Sequence, residues 1–219
     1  MARGAKPAPP SEDSRFAGAT RRLVGGKLVI ATHNSGKLVE MADLLRPYAI
    51  EAVSAGALGV AEPDETGATF EENAALKARA ATAASGLPAL ADDSGLVVSG
   101  LDGAPGIYSA RWAVGKDFAP AMARVERELG DNPDRRAYFV AVLALAWPDG
   151  QLASFRGEVH GSVVFPPRGT RGFGYDPIFQ PASESASFGE LDSAARMRVS
   201  HRTVAFRQLA AACLPPPAP

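Results

Sequence analysis

Residues 137–146, read Ala-Tyr-Phe-Val-Ala-Val-Leu-Ala-Leu-Ala, form a strand-like run that leads to the turn Pro148-Asp149-Gly150 and a second strand-like stretch over 151–158. The three together predict a long β-hairpin. A hairpin of this length brings antiparallel pairing into whatever sheet the chain builds. Around it, strand patterns over 27–32, 50–54, 89–92, 96–98 and 161–165 alternate with helical patterns over 37–46, 69–85, 118–129, about 189–197 and 202–213. Thr69-Phe70-Glu71-Glu72 is a capping box that starts the second helix, and Gly130 is a C-cap for the third. This order predicts an α/β fold with a mixed, partly antiparallel sheet and argues against an all-parallel doubly wound one.

The chain has 219 residues, 46% of them hydrophobic, enough for one good core in one domain or two closely joined lobes. Residues 1–26 are rich in Ala, Pro, Gly, Arg and charge without a hydrophobic period and read as a flexible extension; 27–213 carry the domain and 214–219 a Pro-rich tail. A net charge of −1 suggests no basic face for nucleic acid. No apolar run reaches transmembrane length and no signal peptide is apparent. The single cysteine, Cys213, shares a helical face with Phe206, Leu209 and Ala210, which predicts a buried thiol in a reducing compartment. The expectation is a cytoplasmic protein that meets no membrane.

Four polar clusters carry the chemistry. The first follows the apolar run Leu28-Val29-Ile30-Ala31, where Thr32-His33-Asn34-Ser35-Gly36-Lys37 opens a helix marked by Leu38, Met41 and Leu45. Hydroxyl and amide donors, a glycine that permits close backbone approach and a lysine at a helix N-terminus suit a phosphate. Equally, Asn34 or Ser35 merely caps the helix and Lys37 is solvated. A P-loop is excluded, since it needs Gly at Ala31 and Ser or Thr at Leu38. The second cluster is Asp92-Asp93-Ser94-Gly95 after an apolar strand: either a Mg²⁺ corner, with the acidic segment Glu62-Pro63-Asp64-Glu65 as a further carboxylate source, or a plain turn. The third, Gly172-Phe173-Gly174-Tyr175-Asp176, offers aromatic faces for a base and a carboxylate for ring N–H groups, or else a turn with its aromatics in the core. The fourth is Ser200-His201-Arg202 at the start of the last helix, preceded by Arg196 and Arg198. Together they describe a nucleoside triphosphate site.

These residues resemble the inosine triphosphate pyrophosphatase family: Thr32, Asn34 and Lys37 in T-x-N-x-x-K, Asp92-Asp93-Ser94-Gly95, Gly103-Ala104-Pro105-Gly106 running to Ser109-Ala110-Arg111, Phe173-Gly174-Tyr175-Asp176 and Ser200-His201-Arg202. The match runs in order from about Lys27 to Cys213. The resemblance implies a two-lobed fold around a long mixed sheet, a homodimer, and a nucleotide in the cleft between lobes. It implies hydrolysis of ITP, dITP and XTP to the monophosphate and pyrophosphate with Mg²⁺. By it, Thr32 through Lys37 hold the triphosphate beside Ser94, and Lys37 also stabilises charge in the transition state. Phe173 through Asp176 stack on and orient the purine, and His201 and Arg202 contact base or phosphate. Asp93 is the catalytic carboxylate and a Mg²⁺ ligand. Glu65 is the second ligand, with Glu72 as its competitor, and Lys77 approaches the phosphates. One departure stands out: Arg196 occupies the position where the family carries lysine.

Overall fold

A computed structural model describes residues 21–48 and 50–217. The extension expected over 1–26 lies outside the described residues up to position 20. Beyond that, Leu23 is buried against the C-terminal helix, its N–H donating to the Cys213 carbonyl at 2.7 Å.

The core is one six-stranded mixed sheet. Strands β1 (Gly26–Ala31), β2 (Ile50–Ser54) and β3 (Ala89–Val98) run parallel, β1 lying between the other two. The expected hairpin is present as β4 (Arg136–Ala146) and β5 (Leu152–Val163), and it extends the sheet antiparallel from β3 to the short edge strand β6 (Phe179–Pro181). Two strands proved longer than their sequence patterns. The stretches 89–92 and 96–98 are one strand, because β4 pairs with β3 through the polar segment between them, Asp92 opposite Leu143 and Gly95 opposite Val140. The plain-turn alternative for Asp92 to Gly95 is thereby excluded. Likewise 151–158 and 161–165 merge into β5, and β6 had no periodicity to announce it.

Helices cover both faces of the sheet, and each starts on a side-chain cap where the chain supplies one. Helix α1 (Ser35–Leu45) is capped by Asn34, α2 (Phe70–Ser85) by Thr69, and α3 (Ala119–Leu129) runs to Gly130 at φ 47°. Asp192 caps α4 (Ser193–Val199) and Ser200 caps α5 (His201–Cys213). On one face Leu28, Ile30, Leu90 and Leu143 bury against Met41 of α1 and Leu209 and Cys213 of α5. On the other, Val29, Ala89, Val140 and Val142 meet Ala74, Ala78 and Ala81, small residues that let α2 lie close to the strands. A third apolar cluster, with Leu96, Phe139 and Phe179 packed against Val125 and Leu129 of α3, fills the far end of the hairpin.

This division opens a cleft. Strand β1 stops at Ala31, opposite Ala91, while β3 continues from Asp92 to Val98 with β4 on its other side. The β3 edge that β1 abandons faces a cavity of about 290 Å³. The crevice thus lies beyond the carboxyl end of parallel β1, where α/β sheets commonly bind ligands.

Candidate active site

Successive strand residues point to opposite faces, and β3 uses that alternation to send two adjacent carboxylates to different partners. Asp92 faces α1 and α5. It accepts from Arg202 Nε at 2.7 Å, from Ser94 Oγ at 2.9 Å, and pairs with Lys37 Nζ at 2.6 Å. Arg202, only 2% exposed, also reaches Glu40 of α1 and lies 3.3 Å from Ser94 Oγ. Burial alone would raise the Asp92 pKa, but Arg202 and Lys37 outweigh it and hold the carboxyl far below its ordinary range.

Asp93 faces α2. Its Oδ1 accepts from Lys77 Nζ at 2.6 Å, and the same ammonium donates to Glu65 Oε1 at 2.8 Å. Here burial prevails over the attraction of Lys77 and pushes the Asp93 pKa up to about 6. Burial also works against the charge on Lys77, yet the two carboxylates together keep its pKa above the ordinary value. Glu65 is held in turn by Arg111, which donates to its backbone oxygen at 2.8 Å and stands 3.6 Å from its carboxylate. Glu72 is spent elsewhere: its carboxylate accepts from the Ala68 N–H at 2.6 Å at the start of α2, while Thr69 Oγ1 caps the Glu72 N–H.

Glu65 and Asp93 offer hard oxygen donors on either side of a position that already holds positive charge. This donor set suits Mg²⁺, which takes one or two carboxylates and completes its shell with water or substrate phosphates. Among the described residues no group of three or more His, Cys, Asp or Glu could hold an ion unaided.

The loop after β1 lies at the cleft as expected, with a different division of labour. Thr32, His33, Asn34 and Lys37 line the cavity, whereas Ser35 and Gly36 do not. The Gly36 and Lys37 N–H groups donate to Asn34 Oδ1 at 2.9 and 3.1 Å, so the helix cap occupies the donors expected to face an anion. Lys37 is nevertheless not solvated, since Asp92 holds it. Gly36 is required for packing: a Cβ there would come within 2.8 Å of the Phe173 ring.

The aromatic cluster splits. Phe173 is half-buried at the cleft wall, 5.9 Å from the Arg202 guanidinium, and remains available as a platform. Tyr175 also lines the cavity but is anchored in the core, packed edge-on to Phe118 with its hydroxyl donating to the Ser109 carbonyl at 2.9 Å. Gly174 and Asp176 also line the cavity. Asp176 accepts from the Phe173 N–H at 3.0 Å, and burial lifts its pKa to about 7 despite that bond and the nearby Arg196. Arg196 sits between Asp176 (3.8 Å) and Glu40 (3.6 Å), with its Nε buried and without a hydrogen-bond partner. His201 stacks on Phe139 at 4.9 Å. Burial, then Arg202, keeps its ring neutral, and its Nδ1 too has no partner. Arg202 lines the cavity while its guanidinium is anchored by Asp92 and Glu40.

Glu40 escaped the sequence reading, although it anchors both Arg196 and Arg202; a buried acid three residues after Lys37 on α1 was its only signal. Ser109, quoted only within a motif, proves to clamp the cleft wall: its Oγ accepts from the Leu96 N–H at 3.0 Å and donates to the Gly106 carbonyl at 2.7 Å. That approach is possible only because position 95 is glycine, where a Cβ would lie 2.5 Å from both Gly106 O and Ser109 Oγ.

Known proteins resemble this chain over most of its length. A dITP/XTP pyrophosphatase of Rhodospirillum centenum is 59% identical over 199 residues, covering 89% of this chain and 98% of its own length. One from Rhodopseudomonas palustris is 57% identical over 206 residues, covering 88% and 98%. Among solved structures, a HAM1 protein from Coxiella burnetii superposes with a TM-score of 0.78 at 40% identity, over 84% of this chain and 96% of that one. The Staphylococcus aureus Ham1 protein gives 0.76 at 36% identity, with the same coverage. The sequence pattern of the Ham1 family matches residues 28–212, and the chain belongs to that family.

Proposed function

We propose that residues 27–213 hydrolyse non-standard purine nucleoside triphosphates, ITP, dITP and XTP, to the monophosphate and pyrophosphate, removing them from the nucleotide pool. The observation that carries this reading is the convergence in one cleft of a buried carboxylate with raised pKa, two lysines, and an aromatic wall with unpartnered buried nitrogens. The names of the relatives agree with it.

Water attacks the α-phosphorus and pyrophosphate leaves. Asp93, with a pKa of about 6, is ionised near neutral pH yet basic enough to take the water proton on its side-chain oxygen. Glu65 and Asp93 would hold Mg²⁺, which neutralises phosphate oxygens when bound. Lys37, at the mouth of the phosphate loop, exchanges its Asp92 contact for the polyphosphate and stabilises the charge that grows there. Thr32, Asn34 and Ser94 border the same end of the cleft.

On the cleft wall beside this loop, Phe173 stacks on the purine. Arg196 Nε and His201 Nδ1 are the buried polar atoms with capacity to meet the base, and a 6-oxo group gives Arg196 Nε the acceptor it lacks. Adenine presents a 6-amino donor there and leaves that donor unpaired, a mismatch that discriminates strongly in a site built for hydrogen bonds. The arginine in place of the family lysine keeps the charge but, as a planar fork, is held by Glu40 and Asp176 together.

A cytoplasmic homodimer belongs to the same reading. No helix among the described residues is long and apolar enough to cross a membrane. The test is an assay of ITP, dITP, XTP, ATP and GTP with Mg²⁺, scored for pyrophosphate against orthophosphate. Pyrophosphate should be the first product, with kcat/KM for ITP and XTP at least about a hundredfold above that for ATP. Orthophosphate as first product overturns the mechanism.

A further inference from the structure

Lys77 is 5% exposed, and its ammonium lies between the two carboxylates that suit a divalent cation, 2.6 Å from Asp93 Oδ1 and 2.8 Å from Glu65 Oε1. Its helix holds it there: Ala74, Ala78 and Ala81 pack α2 against the sheet, so the lysine stem rises directly beneath β3. A buried Asp93 beside a half-buried Glu65 would be costly without a partner, and Lys77 supplies one in the protein alone. The same oxygens cannot serve an ammonium at these distances and a dication between them, since the two positive charges would stand within a few ångströms of each other in a poorly solvated site.

We propose that Lys77 is an internal counter-cation that keeps the Glu65–Asp93 site closed to free divalent metal, so that metal enters only with the triphosphate. The incoming phosphates offer Lys77 a replacement anion, and its long stem lets the ammonium swing toward them as the carboxylates turn to the metal. This rests on the pyrophosphatase reading above, and it gives the removal of Lys77 an unusual sign. Most substitutions in a metal site weaken metal binding. Loss of the Lys77 charge should strengthen it in the absence of nucleotide.

The test uses the full chain at pH 8 and Mn²⁺ as the probe, followed by paramagnetic resonance, with Lys77→Met and the charge-preserving Lys77→Arg. Without nucleotide, Lys77→Met should bind Mn²⁺ about tenfold or more tightly than the wild type, while Lys77→Arg should not. Mg²⁺ should raise the Tm of Lys77→Met and leave that of the wild type unchanged. Mn²⁺ binding by Lys77→Met that is no tighter than in the wild type overturns the inference. So does wild-type protein that binds Mn²⁺ as tightly alone as with an α,β-imido inosine triphosphate, a comparison that needs no variant and stands even where Lys77→Met fails to fold. Wild-type pyrophosphate release from ITP is measured in parallel. If it is present while the Mn²⁺ results fail, the counter-cation idea falls alone; if it is absent, the functional reading falls.

Discussion

Asp92 and Asp93 are neighbours in sequence, both buried, and they face opposite sides of one strand, yet their protons behave in opposite ways. Asp92 meets a guanidinium, an ammonium and a hydroxyl, and these outweigh its burial even though Arg202 also pairs with Glu40. Asp93 shares a single ammonium with Glu65, and burial wins. Partner count relative to burial therefore separates an acid that holds α1, β3 and α5 together from one left basic enough to react. The strand supplies both from adjacent positions because alternation puts each carboxylate in a different environment.

The largest expected effect comes from removing the under-compensated acid. Asp93→Asn should lower kcat about 10³-fold or more, the range of a lost general base, with KM for ITP changed only a few-fold. Steady-state kinetics with Mg²⁺ decide it. An equal loss in binding with kcat intact would move the proton transfer elsewhere and erase the contrast between the two faces.

Asp92→Asn should act on stability instead. It leaves Arg202 and Lys37 short of a buried counter-charge, a disruption that costs about 3–5 kcal/mol. Urea unfolding against the wild type reads it. The sign with pH follows from the depressed pKa: the stability contributed by Asp92 is in place above the ordinary carboxylate value of about 4 and is lost as the pH falls below it. The variant should therefore lose less stability than the wild type on acidification. A fully stable but inactive Asp92→Asn would show that the two acids had been assigned to the wrong faces.

The contrast was only half legible in the chain itself. Hydrophobic periodicity and caps exposed the hairpin and all five helices, because those signals are local: Thr69, Gly130 and Ser200 act within a turn of their own helices. Asp92-Asp93-Ser94-Gly95 read as a metal corner or a turn because nothing local says that β4 pairs alongside it. The buried anchoring of Arg202 went unread because its partners Glu40 and Asp92 stand 162 and 110 positions away. Tyr175 and Phe173 looked equivalent, two residues apart, until the Ser109 carbonyl and Phe118 claimed the first and left the second at the cleft wall. What escaped was long-range compensation of charge, which leaves no periodic trace.

The smallest effect is also the most direct reading of the asymmetry. The acid limb of kcat/KM reports groups of the free enzyme. Asp92 and Glu65 are held low, Lys77 is held high and His201 stays neutral, so none of them changes charge between about pH 5 and 8. Asp93 does, and its raised pKa places the limb near pH 6, with activity falling about tenfold for each unit below it. Asp176, near 7, titrates at the cleft wall beside Phe173 and Arg196, and it should add its own inflection through nucleotide binding. Asp176→Asn is then expected to leave a single limb near 6. If that limb instead lies near 4, burial does not govern Asp93, and the difference between the two faces of β3 is one of partners alone.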